Sequence, residues 1–108
     1  SCKRLPSWRE SVRAALLDDE GQPRARFEGP VHMEAEFVLP RPKSAPKTKV
    51  ARADKKPDAS KLLRAIEDAI TSAGVWRDDA QVTSVTLIKR IAKPGETPGL
   101  HLEIMDAQ

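Results

Sequence analysis

The sequence predicts an α+β fold: a small mixed or antiparallel sheet with two helices packed on one of its faces. Three observations support this class. Two segments carry apolar residues at helical spacing, three have the alternating or β-branched patterns of strands, and these segments follow one another in the order α, β, α, β, β. With 108 residues and no internal repeat, residues 1–108 are expected to form a single domain.

The first helix is predicted to begin at Ser7 and to end near Leu17. Ser7 and Glu10 have the spacing of a capping box, in which side chain and backbone bond reciprocally at a helix start. The second helix has one continuous apolar stripe, made by Leu62, Leu63, Ile66, Ala69 and Ile70. Ser60 is its predicted N-cap, and Gly74 is its predicted C-terminal stop.

Three segments have the patterns of strands. Residues 31–39 alternate between apolar and polar side chains, which predicts a strand with one buried face. Residues 81–91 are rich in β-branched residues and apolar on both faces in their middle, as a central strand would be. A turn-rich loop over 92–99 leads to alternating residues at 100–105, so we predict that the last two strands form an antiparallel hairpin.

The composition is that of a globular domain, with 39% hydrophobic and 32% charged residues. No apolar run approaches the roughly 18 residues of a membrane helix, and no segment resembles a signal peptide. Cys2 is the single cysteine, so an internal disulfide is excluded. Together with His32 and His101 it cannot supply the usual four-ligand zinc site. This cysteine usage fits a reducing, intracellular compartment.

Basic residues are concentrated between Arg41 and Lys56, where seven cations stand against one acid. Prolines at 40, 42 and 46 forbid regular structure, so residues 40–57 are expected to form a flexible loop. Such a loop can neutralise nucleic-acid phosphates, or it can be a solvated connector, and the sequence leaves both interpretations open. The candidate DNA-binding residues are Lys47, Lys49, Arg52, Lys55, Lys56 and Lys61.

Aspartates stand at both ends of the second helix. Asp58 precedes it, while Asp78 and Asp79 follow it, and a strand returning against the helix could bring them toward a common edge. Acids beside a basic surface are what a metal-dependent phosphodiesterase needs, because carboxylates bind Mg²⁺ and cations bind phosphates. Asp58 and Asp79 are the best candidate ligands, with Asp78 in reserve. The alternative is that these aspartates merely cap turns and helix ends.

Two runs resemble the signature of a known family: KPDASKLLRAIEDAI from Lys56 to Ile70, and GVWRDDAQV from Gly74 to Val82. They are similar to the RusA family of Holliday-junction resolvases, often encoded by phages and prophages. The segments 7–10 and 39–43 are also similar, so the resemblance covers nearly the whole chain. It implies a small α+β homodimer that binds four-way DNA junctions and cuts symmetrically opposed strands with Mg²⁺, or with Mn²⁺ in its place, in the cytoplasm of a bacterium or phage-infected cell.

The resemblance also implies roles for individual residues. Asp58 and Asp79 match catalytic, metal-binding aspartates of the family. Arg64 stands where the family has a basic residue important for catalysis. Asp68 matches a recurrent helix acid that would orient Arg64 at i, i+4 or touch the metal. The resulting candidate catalytic set is Asp58, Asp79, Arg64, Ser60 and Asp78.

This sequence departs from the family pattern at two places. Ser60 stands where the family usually has a second aspartate, and a hydroxyl is a weak, neutral Mg²⁺ ligand. Glu67 is a candidate substitute, or else an ordinary solvated helix residue. The family's N-terminal strand is also missing, and we expect its absence to expose a sheet edge. Three functions therefore stay open: a junction endonuclease, a weakened or inactive junction-binding module, and a structural domain whose aspartates cap its elements.

Overall fold

The computed structural model describes residues 4–43, 52–55 and 57–107, with the backbone alone for residues 4–9. In chain order the elements are α1 (Arg4–Leu16), β1 (Val31–Leu39), α2 (Ala59–Ala73), a short 3-10 helix (Asp79–Gln81), β2 (Val82–Ile91) and β3 (Gly99–Asp106). The predicted α+β class is confirmed. Neither described α-helix has the length and apolar character needed to cross a membrane. Half of the predicted flexible loop, residues 44–51 and 56, lies outside the described residues.

The sheet has the strand order β2-β1-β3, so β1 is its central strand. β1 pairs in parallel with β2, from Val31 opposite Val82 to Leu39 opposite Ile91. It pairs antiparallel with β3, beginning with Val31 opposite Asp106. The sheet is therefore mixed.

The prediction that β2 is central and forms a hairpin with β3 is wrong. Because α2 crosses over the sheet between β1 and β2, the chain re-enters β2 in the same direction as β1 and pairs with it in parallel. β3 then takes the other edge of β1. The apolar residues that suggested a central strand are partly exposed on β2, where Val85 is 39% and Ile88 48% accessible.

The core lies between β1 and α2. The predicted bounds of β1 are confirmed, and its alternate residues are buried: Val31, Met33, Ala35 and Phe37. The buried residues of the α2 face that pack in the same cluster are Leu62, Ile66, Ile70 and Ala73. The helical stripe and the period-two strand read from the sequence thus form a single interface.

The observed ends of α2 agree only in part with the ends predicted from the sequence. The prediction that Ser60 is its N-cap is wrong, because the helix already begins at Ala59 and Asp58 is the N-cap. The carbonyl of Asp58 accepts the N–H groups of Lys61 and Leu62, each at 3.1 Å. The predicted stop at Gly74 is confirmed. Its φ of 80° is left-handed, a conformation that glycine adopts without strain.

Helix α1 begins at Arg4, three residues before the predicted capping box. Pro6 falls in the first turn, where a missing N–H removes no helical hydrogen bond, so the helix can extend through it. The prediction of a capping box at Ser7 and Glu10 is therefore wrong. α1 packs beside α2, and the Nε of Arg13 donates to the Oγ of Ser72 at 2.9 Å.

Candidate functional site

Asp58 occupies the N-cap position of α2, with extended backbone at φ −69° and ψ 146°. An aspartate at this position usually accepts a hydrogen bond from the first N–H groups of the helix through its side chain. Here the carboxylate makes no such bond, and the residue is exposed. The backbone of Asp58 therefore starts the helix, while its two carboxylate oxygens have no structural role there.

Asp78 has the opposite arrangement. Its carboxylate caps the 3-10 helix by accepting the N–H of Ala80 at 2.9 Å. That hydrogen bond, followed by one from the carboxyl of Asp79, holds the pKa of Asp78 below its ordinary value. Asp78 thus does the capping, and Asp79 follows it as an exposed residue at the start of the 3-10 helix.

Gln81 locks this turn in place, a contribution that the sequence analysis missed. Its Oε1 accepts the N–H groups of Arg77 at 2.8 Å and Asp78 at 3.1 Å. Its Nε2 donates to the carbonyls of Phe27 at 2.8 Å and Gly29 at 2.9 Å. The amide joins the 27–29 segment to the turn that carries Asp79. An aspartate followed three residues later by glutamine was the available signal, since it is a capping-box pattern.

Glu67 lies within the electrostatic reach of Asp79. The pKa of the Glu67 carboxyl is raised above its ordinary value of 4.5, first by desolvation and then by the negative charges of Asp79 and Asp68, while Arg64 opposes the shift. Asp79 also shares a shallow surface pocket with Asp68, Thr71 and Ser72. Asp79 is therefore beside the second half of α2.

Asp58 stands at the N-terminal end of α2, whereas Asp79 lies beside the second half of the helix. Asp58 precedes the first turn of α2, and at a rise of 1.5 Å per residue Glu67 is about 14 Å further along the axis. Within residues 4–43, 52–55 and 57–107, no three acids, histidines or cysteines are grouped in a way that could hold a metal ion. Among the described acids, Asp79 and then Asp68 are those whose charges act on Glu67.

Ser60 and Arg64 are exposed on α2, one turn apart, between Asp58 and Glu67. An i, i+4 ion pair with Arg64 is one of the two roles that the sequence leaves open for Asp68. This ion pair is not formed, since no carboxylate in the described part of the chain lies within 4.0 Å of the Arg64 guanidinium. Arg64 still lowers the pKa of Glu67 through its charge. Its guanidinium is thus positioned near the acids without being neutralised by a direct contact.

The candidate DNA-binding residues fall into two groups. Arg52, Lys55 and Lys61 are exposed, and the Nε of Arg52 forms an ion pair with Asp54 at 3.5 Å. The others, Lys47, Lys49 and Lys56, lie outside the described residues. Lys55 and Lys61 flank Asp58 in the sequence, so cations accompany the N-terminal end of α2.

A small α+β domain that presents exposed aspartates beside cations has the character of a nucleic-acid-processing protein. Residues 2–105 match the family model described as Endodeoxyribonuclease RusA. The chain belongs to this family of Holliday-junction-resolving endonucleases, which confirms the resemblance read from its motifs. No curated protein matches the chain.

Proposed function

We propose that this chain is a divalent-cation-dependent endonuclease that resolves four-way DNA junctions as a homodimer, by paired symmetric nicks, in the cytoplasm of its cell. The observation that supports this proposal is that the aspartates have different hydrogen-bonding roles in the fold. Asp78 caps the 3-10 helix, whereas the carboxylate of Asp58 is exposed and makes no cap hydrogen bond, and Asp79 is an exposed residue in the same turn as Asp78. A carboxylate such as that of Asp58, which is exposed and caps nothing, is free to bind a ligand.

The donor chemistry fits a hard divalent cation, because carboxylate oxygens are the ligands that Mg²⁺ and Mn²⁺ prefer. Asp58 and Asp79 would each offer carboxylate oxygens to a divalent cation, and Glu67 supplies a further carboxylate near Asp79. When bound, the cation would stabilise charge on the scissile phosphate and lower the pKa of an attacking water.

The chain's own cationic side chains would bind the DNA phosphates and stabilise the charge that develops on them. Arg64, which no described carboxylate pairs within 4.0 Å, can donate to a phosphate oxygen on which charge develops. Lys55 and Lys61 can hold the phosphates on either side of the Asp58 segment through interactions that carry little sequence information. A two-fold symmetric dimer would place two such sites on opposed strands of a junction.

The test is cleavage of a labelled synthetic four-way junction with and without Mg²⁺ or Mn²⁺, run beside a gel shift on the same junction and on a linear duplex. Asp79→Asn should abolish cutting while junction binding persists. Asp106→Asn is the matched control, since it removes the same charge from an exposed position on β3. Cutting that survives in Asp79→Asn would remove this residue from the site.

A second candidate function is a junction-binding module with weakened or absent cleavage. Two observations favour it: Ser60 is a neutral residue in the first turn of α2, and the described residues include no group of three acids, histidines or cysteines that could hold a metal ion. Ser60→Asp distinguishes the two candidates. If the chain binds junctions without cutting and Ser60→Asp restores cutting, the scaffold is a resolvase with a disabled metal site. If the unaltered chain cuts, the endonuclease function stands.

A further inference from the structure

Lys89 makes a long-range contact that the site described above does not include. It lies in β2 opposite Phe37 of β1, on the sheet face that carries the core, and is half-buried. Its ammonium group donates to the carbonyl oxygens of Lys55 at 2.7 Å and Pro57 at 3.1 Å. A single side chain on the edge strand thus binds the segment that leads into α2.

We infer that Lys89 is a positioning residue for Asp58, holding in place the backbone that carries this aspartate during phosphodiester cleavage. The inference rests on the proposed function. The carbonyl of Pro57 belongs to the peptide unit that joins Pro57 to Asp58, so the bond from Lys89 acts directly on the N-terminal side of the aspartate. The bond to Lys55 adds a second anchor two residues earlier.

The backbone on the other side of Asp58 is fixed by α2 itself. The carbonyl of Asp58 accepts the N–H groups of Lys61 and Leu62. Because the Asp58 carboxylate makes no cap hydrogen bond, its location depends on the peptide units on its two sides. Lys89 supplies the restraint on one of them, and the first turn of α2 supplies the restraint on the other.

The chemistry of the contact explains why a lysine is suited to it. An ammonium group has several donors and can bond two carbonyls at once, and hydrogen bonds from a charged donor are stronger than neutral ones. In the described part of the chain no carboxylate lies within 4.0 Å of Lys89, so its charge is directed at these two carbonyls. Methionine at this position would keep a stem of similar size but supply no donor.

The experiment compares three variants of the full chain. Lys89→Met removes the donors, Lys89→Arg keeps a charged donor, and Lys93→Met removes one charge from an exposed position in the next loop. The readouts are the melting temperature, junction affinity by gel shift, and the single-turnover cleavage rate at saturating Mg²⁺. We expect Lys89→Met to cut about tenfold to a hundredfold more slowly, because small misplacements of a catalytic group have effects of this size. Its junction affinity should match that of Lys93→Met, and Lys89→Arg should recover most of the rate.

Amide hydrogen exchange on the DNA-free protein gives a readout that does not require activity. Lys89→Met should speed exchange at the amides of Lys61 and Leu62, which bond to the Asp58 carbonyl, while the amides of Ile66 and Ile70 stay protected. Uniformly faster exchange with a lowered melting temperature would overturn the inference, because Lys89 would then support only the global fold.

Two further outcomes also overturn it: an unchanged cleavage rate, or a fall in rate matched by an equal fall in junction affinity, which would make Lys89 a phosphate-binding residue. If the unaltered chain does not cut at all, the proposed function fails. The exchange measurement then decides by itself whether Lys89 tethers the Asp58 segment.

Discussion

Asp79 lies close enough to Glu67 for its negative charge to raise the pKa of the Glu67 carboxyl. The two acids come from different elements, α2 and the 3-10 helix, so tertiary structure brings their charges together. Like charges at short range disfavour full ionisation of both groups. The native state therefore holds a proton on Glu67 to a higher pH than the unfolded chain does.

Asp79→Asn should lower the pKa of Glu67 without returning it to 4.5, because desolvation, the larger cause, remains. Carboxyl NMR titration measures this directly, with Asp106→Asn as the control that leaves the pKa of Glu67 unchanged.

The raised pKa of Glu67 also has a consequence for stability: the contribution of Glu67 is present below pH 4.5 and is lost as the pH rises through its native pKa. Glu67→Gln should remove that loss, and an unaltered pH profile would contradict the assignment.

Gln81→Ala should destabilise the domain by about 2 kcal/mol, because it leaves two backbone N–H groups and two carbonyls without the partner they now have. Thermal or urea unfolding measures the loss. Gln22→Ala is the matched control, since that exposed side chain accepts a single bond, from Arg26. If Gln81 also orients the turn bearing Asp79, cleavage should fall by more than the loss of folded protein explains. Equal stabilities for the two variants would count against the locking role of Gln81.

Gly74→Ala should cost about 1 kcal/mol of stability, because its φ of 80° is unfavourable for a residue with a Cβ. Space is not the reason: the added Cβ would lie 3.5 Å from the Cγ of Pro23, an ordinary contact. Gly29→Ala is the control, with nothing within 4 Å of its added Cβ and no positive φ. Urea unfolding of the pair separates backbone strain from the general effect of adding a methyl group, and similar losses would refute the strain argument.

Lowering the pH should reduce the stability of the domain, because it protonates Glu96. Arg90 donates to both oxygens of Glu96 at 2.6 Å and to Glu36 at 3.1 Å, and the bonds to Glu96 lower the pKa of that carboxyl to about 2 from 4.5. The contribution of Glu96 to stability is therefore complete above pH 4.5 and is lost as the pH falls toward 2. Glu96→Gln should lower the melting temperature at neutral pH and flatten its fall across that interval. The exposed control Glu103→Gln should leave the fall of the melting temperature below pH 4.5 unchanged. If Glu96→Gln also leaves that fall unchanged, groups other than Glu96 cause it.

Lys61→Glu should weaken binding to junctions of every sequence, because interactions with phosphates are independent of the bases. If Lys61 neutralises one phosphate, the variant should show a slope of log affinity against log salt that is shallower by about 0.9. Gel shifts over a salt series measure that slope, and Lys93→Glu controls for the change in net charge. A slope equal to that of the control would remove Lys61 from the DNA interface.

Much of the fold could be predicted from local pattern. The period-two alternation of Val31, Met33, Ala35 and Phe37 reflects one-sided burial, so it determined both the bounds of β1 and its buried face. The apolar stripe of α2 and the stop at Gly74 have equally local causes. These features depend on residues a few positions apart, which a sequence displays directly.

The pairing of strands could not be predicted in the same way. Val85 and Ile88 are apolar and β-branched, properties that suit a central strand, yet β2 is at the edge because α2 returns the chain parallel to β1. The site had the same difficulty. The Lys89 bonds to Lys55 and Pro57, and the Gln81 Nε2 bonds to Phe27 and Gly29, join residues more than thirty positions apart, for which the sequence has no short-range signal.

β1 meets both of its partners late in the chain. Its neighbours begin at Val82 and Gly99, so during synthesis the future central strand has two unpaired edges while most of the polypeptide is still being made. The charged side chains of Glu34 and Glu36 discourage other chains from adding to those edges in that interval. A nascent chain that lacks β2 and β3 has neither a sheet nor the Lys89 tether on the Asp58 segment. A long stretch of this protein must therefore leave the ribosome before Lys89 can hold the Asp58 segment.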